Sequence, residues 1–211
     1  MNLTRRVLLI TTALAILIAP AAVAQVGKGV ADLNSMPEAA LAVLPGMTPA
    51  VATAFVAKRP FASITEANAF LLGQGLTQDQ LNTLYTKAFV HVNLNTGTRD
   101  EIVLIPGAGT RMAREFAEYR PWHNWAQFDK EIGKYVPQTE VDRLKQYVFI
   151  PVNLNTATDD LILTIPGAGA RMVREFKEYR PWTSQAQFQK EIGKYVDQKE
   201  VARLWRYVVI Q

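Results

Sequence analysis

Apolar residues along most of this chain recur at three- and four-residue intervals, the spacing of one face of a helix and not the alternation of a strand. Met112, Ala113, Phe116 and Tyr119 form one such stripe, and Phe128, Ile132, Val141 and Leu144 continue it across a second pair of segments. The boundaries are marked by local chemistry. Thr98-x-x-Glu101 is a capping box that starts a short helix carrying Ile102, Leu104 and Ile105, and Pro106-Gly107 stops it. Ala108-Gly109 opens the next helix, which ends at Arg120-Pro121 because a residue before proline avoids helical geometry. Two further helices are predicted, over about residues 126–134 and 139–147. The β-branched-rich run Val148 to Val152 reads as a connector, and no sheet is expected.

The pattern repeats. Val92-Asn93-Leu94-Asn95-Thr96 returns as Val152-Asn153-Leu154-Asn155-Thr156, and Ile105-Pro106-Gly107-Ala108-Gly109 returns as Ile165-Pro166-Gly167-Ala168-Gly169. The match continues through Glu118-Tyr119-Arg120-Pro121-Trp122 and Lys130 to Val136, with a period of about 60 residues. A degraded earlier copy holds Leu33-Asn34-Ser35, Leu44-Pro45-Gly46, Phe55 and Arg59-Pro60-Phe61 in the same register. The expected organisation is therefore a leader over residues 1–24 and three helical units over 25–90, 91–150 and 151–211. Each unit is too small to bury its own apolar faces, so serial packing is expected, with unit one capping one end.

The first 24 residues join Arg5-Arg6 to an apolar run from Val7 to Ile18 and a small-residue site at Ala22-Val23-Ala24. This reads as a signal peptide cleaved after Ala24, and the run is too short for a stable transmembrane anchor. The two arginines fit either general or twin-arginine export, and the expected location is periplasmic or secreted. The chain has no cysteine, which removes disulfides, thiol nucleophiles and cysteine metal sites together. Without Arg5 and Arg6 it carries 23 − 2 = 21 basic against 19 acidic residues, a net charge of +2. Whole-chain charge therefore argues weakly against nucleic acid, and only a local arrangement of cations would favour it.

The Val-Asn-Leu-Asn-Thr lead, the acidic helix start and Ile-Pro-Gly-Ala-Gly with arginines downstream resemble the helix-hairpin-helix domain of ComEA-type competence proteins, which are exported DNA receptors. The likeness covers most of residues 92–136 and 152–196 and, more faintly, 33–75. It implies an all-α fold of three tandem helix-hairpin-helix units and non-sequence-specific binding of double-stranded DNA. In that family the hairpin glycines let backbone N–H groups approach a phosphate, and the helix that begins there offers its positive end. The corresponding positions are Gly107, Ala108, Gly109 and Gly167, Ala168, Gly169. Arg111 and Arg114, then Arg171 and Arg174, follow as candidate phosphate clamps. The resemblance also implies a DNA-uptake setting with a secretion, pilus or uptake-machinery protein as partner.

The departures from that pattern are specific. Alanine stands where the family carries a bulky aliphatic between the glycines, and Lys134-Tyr135-Val136-Pro137 offers no second Gly-x-Gly, so that half of the unit reads as structural. Unit one has Gly46-Met47-Thr48-Pro49 and no following arginine, so it is not expected to hold phosphate. Glu115, Glu118, Glu175 and Glu178 share the second helix with the arginines and invite pairing along the helix. Trp122, Trp182 and Phe61 fall at one repeat position and read as core. His91 and His123 lack a second metal ligand at suitable spacing, and no nucleophile, base and orienting group recur together. The chain is thus expected to be non-catalytic, with no cofactor, no metal and no small-molecule substrate. The alternative function is a periplasmic protein-interaction or scaffold module, since helix-hairpin-helix folds also occur in exported proteins that bind no DNA.

Overall fold

The computed structural model describes residues 29–211; the leader expected over residues 1–24 lies outside them. The chain is predominantly helical, and its elements fall into three similar sets. The middle set shows the plan: β3 (Val92–Asn93), α5 (Arg99–Val103), α6 (Gly109–Glu118), α7 (Trp125–Ile132), α8 (Gln138–Lys145) and β4 (Val148–Phe149). The first set runs from β1 (Ala31–Asp32) through α1 (Glu38–Leu41), α2 (Pro49–Lys58), α3 (Ile64–Gly73) and α4 (Gln78–Tyr85) to β2 (Ala88–Phe89). The third runs from β5 (Val152–Asn153) through α9 (Asp159–Leu163), α10 (Ala170–Glu178), α11 (Gln185–Ile192) and α12 (Gln198–Trp205) to β6 (Val208–Val209).

The capping box of Thr98 and Glu101 is formed: the Thr98 hydroxyl accepts from the Glu101 N–H and the Glu101 carboxylate from the Thr98 N–H. Met112, Ala113 and Phe116 of α6 are buried, with Phe128 and Ile132 of α7 and Val141 and Leu144 of α8 facing the same core. Trp122 and Trp182 are fully buried, as is Phe61. The residues most repeated in the sequence also hold each unit together. The Asn95 amide donates to the Trp122 carbonyl at 3.0 Å and its oxygen accepts from the Trp122 N–H at 2.6 Å. Asn34 does the same to Phe61 and Asn155 to Trp182. Arg120 closes the clamp by donating to the Leu94 and Gly97 carbonyls, and the Trp122 indole donates to the Phe116 carbonyl at 2.8 Å.

Two expectations are corrected. Among the described residues there are six two-residue strands: β1 pairs with β2, β3 with β4 and β5 with β6, each in parallel. The run from Val148 to Val152 therefore does more than connect, because its first residues close unit two and its last open unit three. The pairing satisfies backbone groups that burial of Val148, Phe149 and Val152 would otherwise leave without partners.

The second correction concerns packing. Units one and two share a core, with α3 packed on α5 and Phe89 edge-on to Tyr147 at 5.2 Å. Unit three then returns to unit one instead of extending a serial stack. The Tyr207 hydroxyl donates to Asp32 at 3.0 Å, Arg206 to the Ala62 carbonyl and Lys199 to the Ala57 carbonyl, all in unit one, and Arg206 also donates to the His91 carbonyl where unit two begins. The three closing segments thus meet around buried Phe89, Tyr147, Phe149 and Tyr207, and the units close on one another. Burial of two further faces is the physical gain, since a linear stack of three leaves both end units half covered.

Candidate nucleic-acid interface

Among the described residues, eight of the twelve helices start with a side-chain cap. Thr48, Ser63, Thr77, Thr98, Asn124, Thr158, Ser184 and Asp197 each accept a hydrogen bond from a backbone N–H of the first turn. The helices that begin at the two Pro-Gly-Ala-Gly turns, α6 and α10, have none: Ala108 and Gly169 occupy the cap positions. Their leading N–H groups, which no intrahelical carbonyl can satisfy, therefore point outward with the positive end of the helix dipole. Gly107, Gly109, Gly167 and Gly169 are exposed; Ala108 is half-buried and Ala168 buried. In unit one the same helix start is spent, because Thr48 caps α2 and Pro49 removes an N–H.

The glycines are not equivalent. Gly107 and Gly167 have φ of +77° and +76°, and Gly109 +64°, all in the region that favours glycine. Gly169 lies at −116°, open to any residue, although its local sequence matches that of Gly109. A Cβ placed on Gly107 would meet Arg143 Nη2 at 3.3 Å, and on Gly167 Arg203 Nη2 at 2.9 Å, whereas Gly109 and Gly169 have open space in front of them. The first glycine of each turn thus makes room for a supporting arginine, and the second leaves the approach clear.

Those arginines were not among the sequence candidates. Arg143 forms a two-pronged bond to Glu140, at 2.7 Å for both prongs, and lies over the Tyr147 ring. Arg203 does the same to Glu200, at 2.7 and 2.6 Å, and is almost fully buried. Their signal was available: each recurs 60 residues apart with a glutamate three positions earlier.

Arg111, Arg114, Arg171 and Arg174 are exposed beside their turns. Arg114 pairs with Glu115 at 2.9 Å and Arg174 with Glu175 at 2.8 Å. These carboxylates are held below their ordinary range. For Glu115 the Arg114 hydrogen bond is the leading cause; for Glu175, burial opposes the shift, and the nearby Tyr195 hydroxyl and the Arg174 bond outweigh it. Glu115 and Glu175 are buried, so each anchors its arginine to the helix. Arg111 and Arg171 instead lie over tyrosine rings, Arg111 5.2 Å from Tyr135 and Arg171 5.0 Å from Tyr195.

Those tyrosines bring in the α7–α8 and α11–α12 loops. Tyr119 and Tyr135 share a hydrogen bond of 2.7 Å, as Tyr179 and Tyr195 do at 2.8 Å, and Lys134 and Lys194 sit 5.0 Å over the Tyr119 and Tyr179 rings. The Tyr135 and Tyr195 hydroxyls are pushed above the ordinary phenol range, first by the bond to the second tyrosine and next by the nearby glutamate. Lys134 also pairs with Glu131 and Lys194 with Glu191. The loop read as structural thus places a cation beside each hairpin helix, giving two matching stations of two arginines and one lysine. Among the described residues, no helix is long and apolar enough to cross a membrane. No protein-family model, curated protein or solved structure matches the chain.

Proposed function

We propose that this chain is an exported, non-catalytic DNA-binding protein that grips the phosphate backbone of duplex DNA without reading its sequence, through helix-hairpin-helix turns in units two and three. The carrying observation is the pair of uncapped helix starts at exposed glycine turns, in a chain that caps most of its other helices. A phosphate oxygen is a natural acceptor for such N–H groups, and Arg111 and Arg171 stand beside them without a carboxylate partner of their own among the described residues. Neither turn presents a donor and acceptor pattern suited to base edges, so unrelated sequences should bind alike. A place in DNA uptake follows the same reading.

The ion pairs at Arg114, Arg174, Lys134 and Lys194 favour a second reading, a scaffold module whose charges are spent internally. One titration separates the two. Fluorescence anisotropy of unrelated 20-base-pair duplexes should show similar affinities that fall steeply between low and moderate salt, since binding to phosphate releases counterions. A flat salt response, or no binding at low salt, rejects the DNA reading and leaves the scaffold.

A further inference from the structure

Between units two and three the surface opens into a groove of about 610 Å³, within the range of small-ligand sites. The corresponding seam between units one and two is occupied by the contact of α3 with α5. None of the residues lining the groove is Lys, Arg, Asp or Glu, in a chain where these make up 20% of positions. Its polar walls are mainly amides and hydroxyls, Asn93, Asn124, Asn153, Thr96 and Thr156, with the His123 imidazole and Gln211 beside them. The Asn93, Asn124 and Asn153 side-chain oxygens are each used by a local backbone N–H. Their Nδ2 groups, and the Thr96 and Thr156 hydroxyls, have no protein partner among the described residues. The apolar part is formed by half-buried Trp125 and Ile150 and by Leu161, which is 49% exposed.

We propose that this groove binds a short neutral saccharide. With no Lys or Arg in its lining the groove has no permanent side-chain cation to neutralise a phosphate or carboxylate, and with no Asp or Glu it has no side-chain carboxylate for an amine. Vicinal hydroxyls both donate and accept, which suits amide and hydroxyl side chains with unused donors. The apolar C–H face of a sugar ring suits an indole and an aliphatic floor better than water does. The hairpin stations are elsewhere: Arg111, Arg114, Arg171 and Arg174 do not line the groove, so this site stands independently of DNA binding.

The test titrates the full chain with maltotetraose, cellotetraose and tetra-N-acetylchitotetraose by calorimetry. At least one should bind with a sub-millimolar dissociation constant. Trp125→Gln copies the residue that unit three carries as Gln185, and Asn124→Ser keeps the helix cap as Ser184 does, so both should fold as the parent does. Each should weaken binding by about ten-fold, the scale of one aromatic or hydrogen-bonded contact. Leu161→Arg, at an exposed position, should abolish it by placing a charge in the groove. Circular dichroism checks each variant. Absence of binding for all three sugars at about ten millimolar, where simple mass action would still reveal weak sites, overturns the proposal. Unchanged affinity in folded Trp125→Gln and Leu161→Arg does the same, as does occupation of the groove by an uncharged peptide with no sugar bound.

Discussion

The Tyr207 hydroxyl donates to Asp32 across 175 residues of sequence, at 3.0 Å in the buried centre where unit three meets unit one. Asp32 holds the position that Asn93 and Asn153 occupy in the other units, and like them it accepts the N–H two residues ahead. The carboxylate supplies a second oxygen, which takes the phenol and lies 3.8 Å from the Arg203 guanidinium. Burial, with the Asp32 charge second, pushes the Tyr207 hydroxyl well above the ordinary phenol range, so it remains a donor at all working pH values.

Replacing Tyr207 by phenylalanine keeps the ring against Phe149 and removes this one bond. The Asp32 oxygen is left buried with only a distant guanidinium, so unfolding in urea should show a loss of about 1–3 kcal/mol. The unchanged parts of the other two units provide the control: Asn93→Asp, which adds the acid without a tyrosine to meet it, should not stabilise. A Tyr207→Phe variant as stable as the parent would show that unit three is held by its apolar contacts alone.

His91 makes the stability depend on pH. Its ring is fully buried at the junction, and its pKa is lowered, first by burial and then by the Arg206 cation, with Asp32 and backbone contacts at Val30 and Gln146 opposing. The unfolded chain therefore binds this proton more readily than the folded one. The stabilisation is complete above the unfolded value of about 6.5 and is lost as pH falls below it. Urea unfolding at pH 7 and pH 5 should show a drop in the parent that is much reduced in His91→Leu. Equal drops in both would place the acid sensitivity elsewhere.

The helices and their ends were legible because each is written locally: Thr98 with Glu101 starts one, and Arg120-Pro121 ends another. The buried position of Trp122 was legible from its repetition. The partner of Trp122 was not, since Asn95 lies 27 residues away and its recurrence marks the position without saying what it touches. Ring closure was hidden for a related reason: Asp32 departs from the repeat, and its partner is distant in sequence. Of the site, the turns and arginines were read from the motif. Lys134 and Lys194 were missed because hydrogen-bonded tyrosine pairs, not sequence spacing, carry them beside the hairpin helix. The different backbones of Gly109 and Gly169 have no account in the local sequence, which is Pro-Gly-Ala-Gly in both.

That difference makes the two glycines unequal as probes. Gly169→Ala meets open space at an ordinary φ, so it should leave stability unchanged; Gly109→Ala must hold alanine at +64° and should cost about 1 kcal/mol. If the backbone approaches phosphate at these turns, Gly169→Val should weaken DNA binding without unfolding the chain. Full affinity in a folded Gly169→Val variant argues that unit three makes no close backbone contact.

The arginines divide by their partners. Arg114 and Arg174 are held by buried carboxylates, whereas Arg111 and Arg171 lie on tyrosine rings and make no ion pair among the described residues. Arg111→Ala with Arg171→Ala should therefore weaken duplex binding by about 1–3 kcal/mol in total and lower the slope of log affinity against log salt by about two, one for each lost phosphate contact. Arg114→Ala with Arg174→Ala should do less to the slope, and should destabilise the fold by removing the ion-pair partners of buried Glu115 and Glu175. Lys134→Ala with Lys194→Ala should fall between, because their charge is shared with Glu131 and Glu191. Anisotropy titrations at four salt concentrations measure all three pairs. An Arg111 and Arg171 double variant with the parent's slope, in a folded chain, would remove these side chains from the interface and return the turns to a purely structural part.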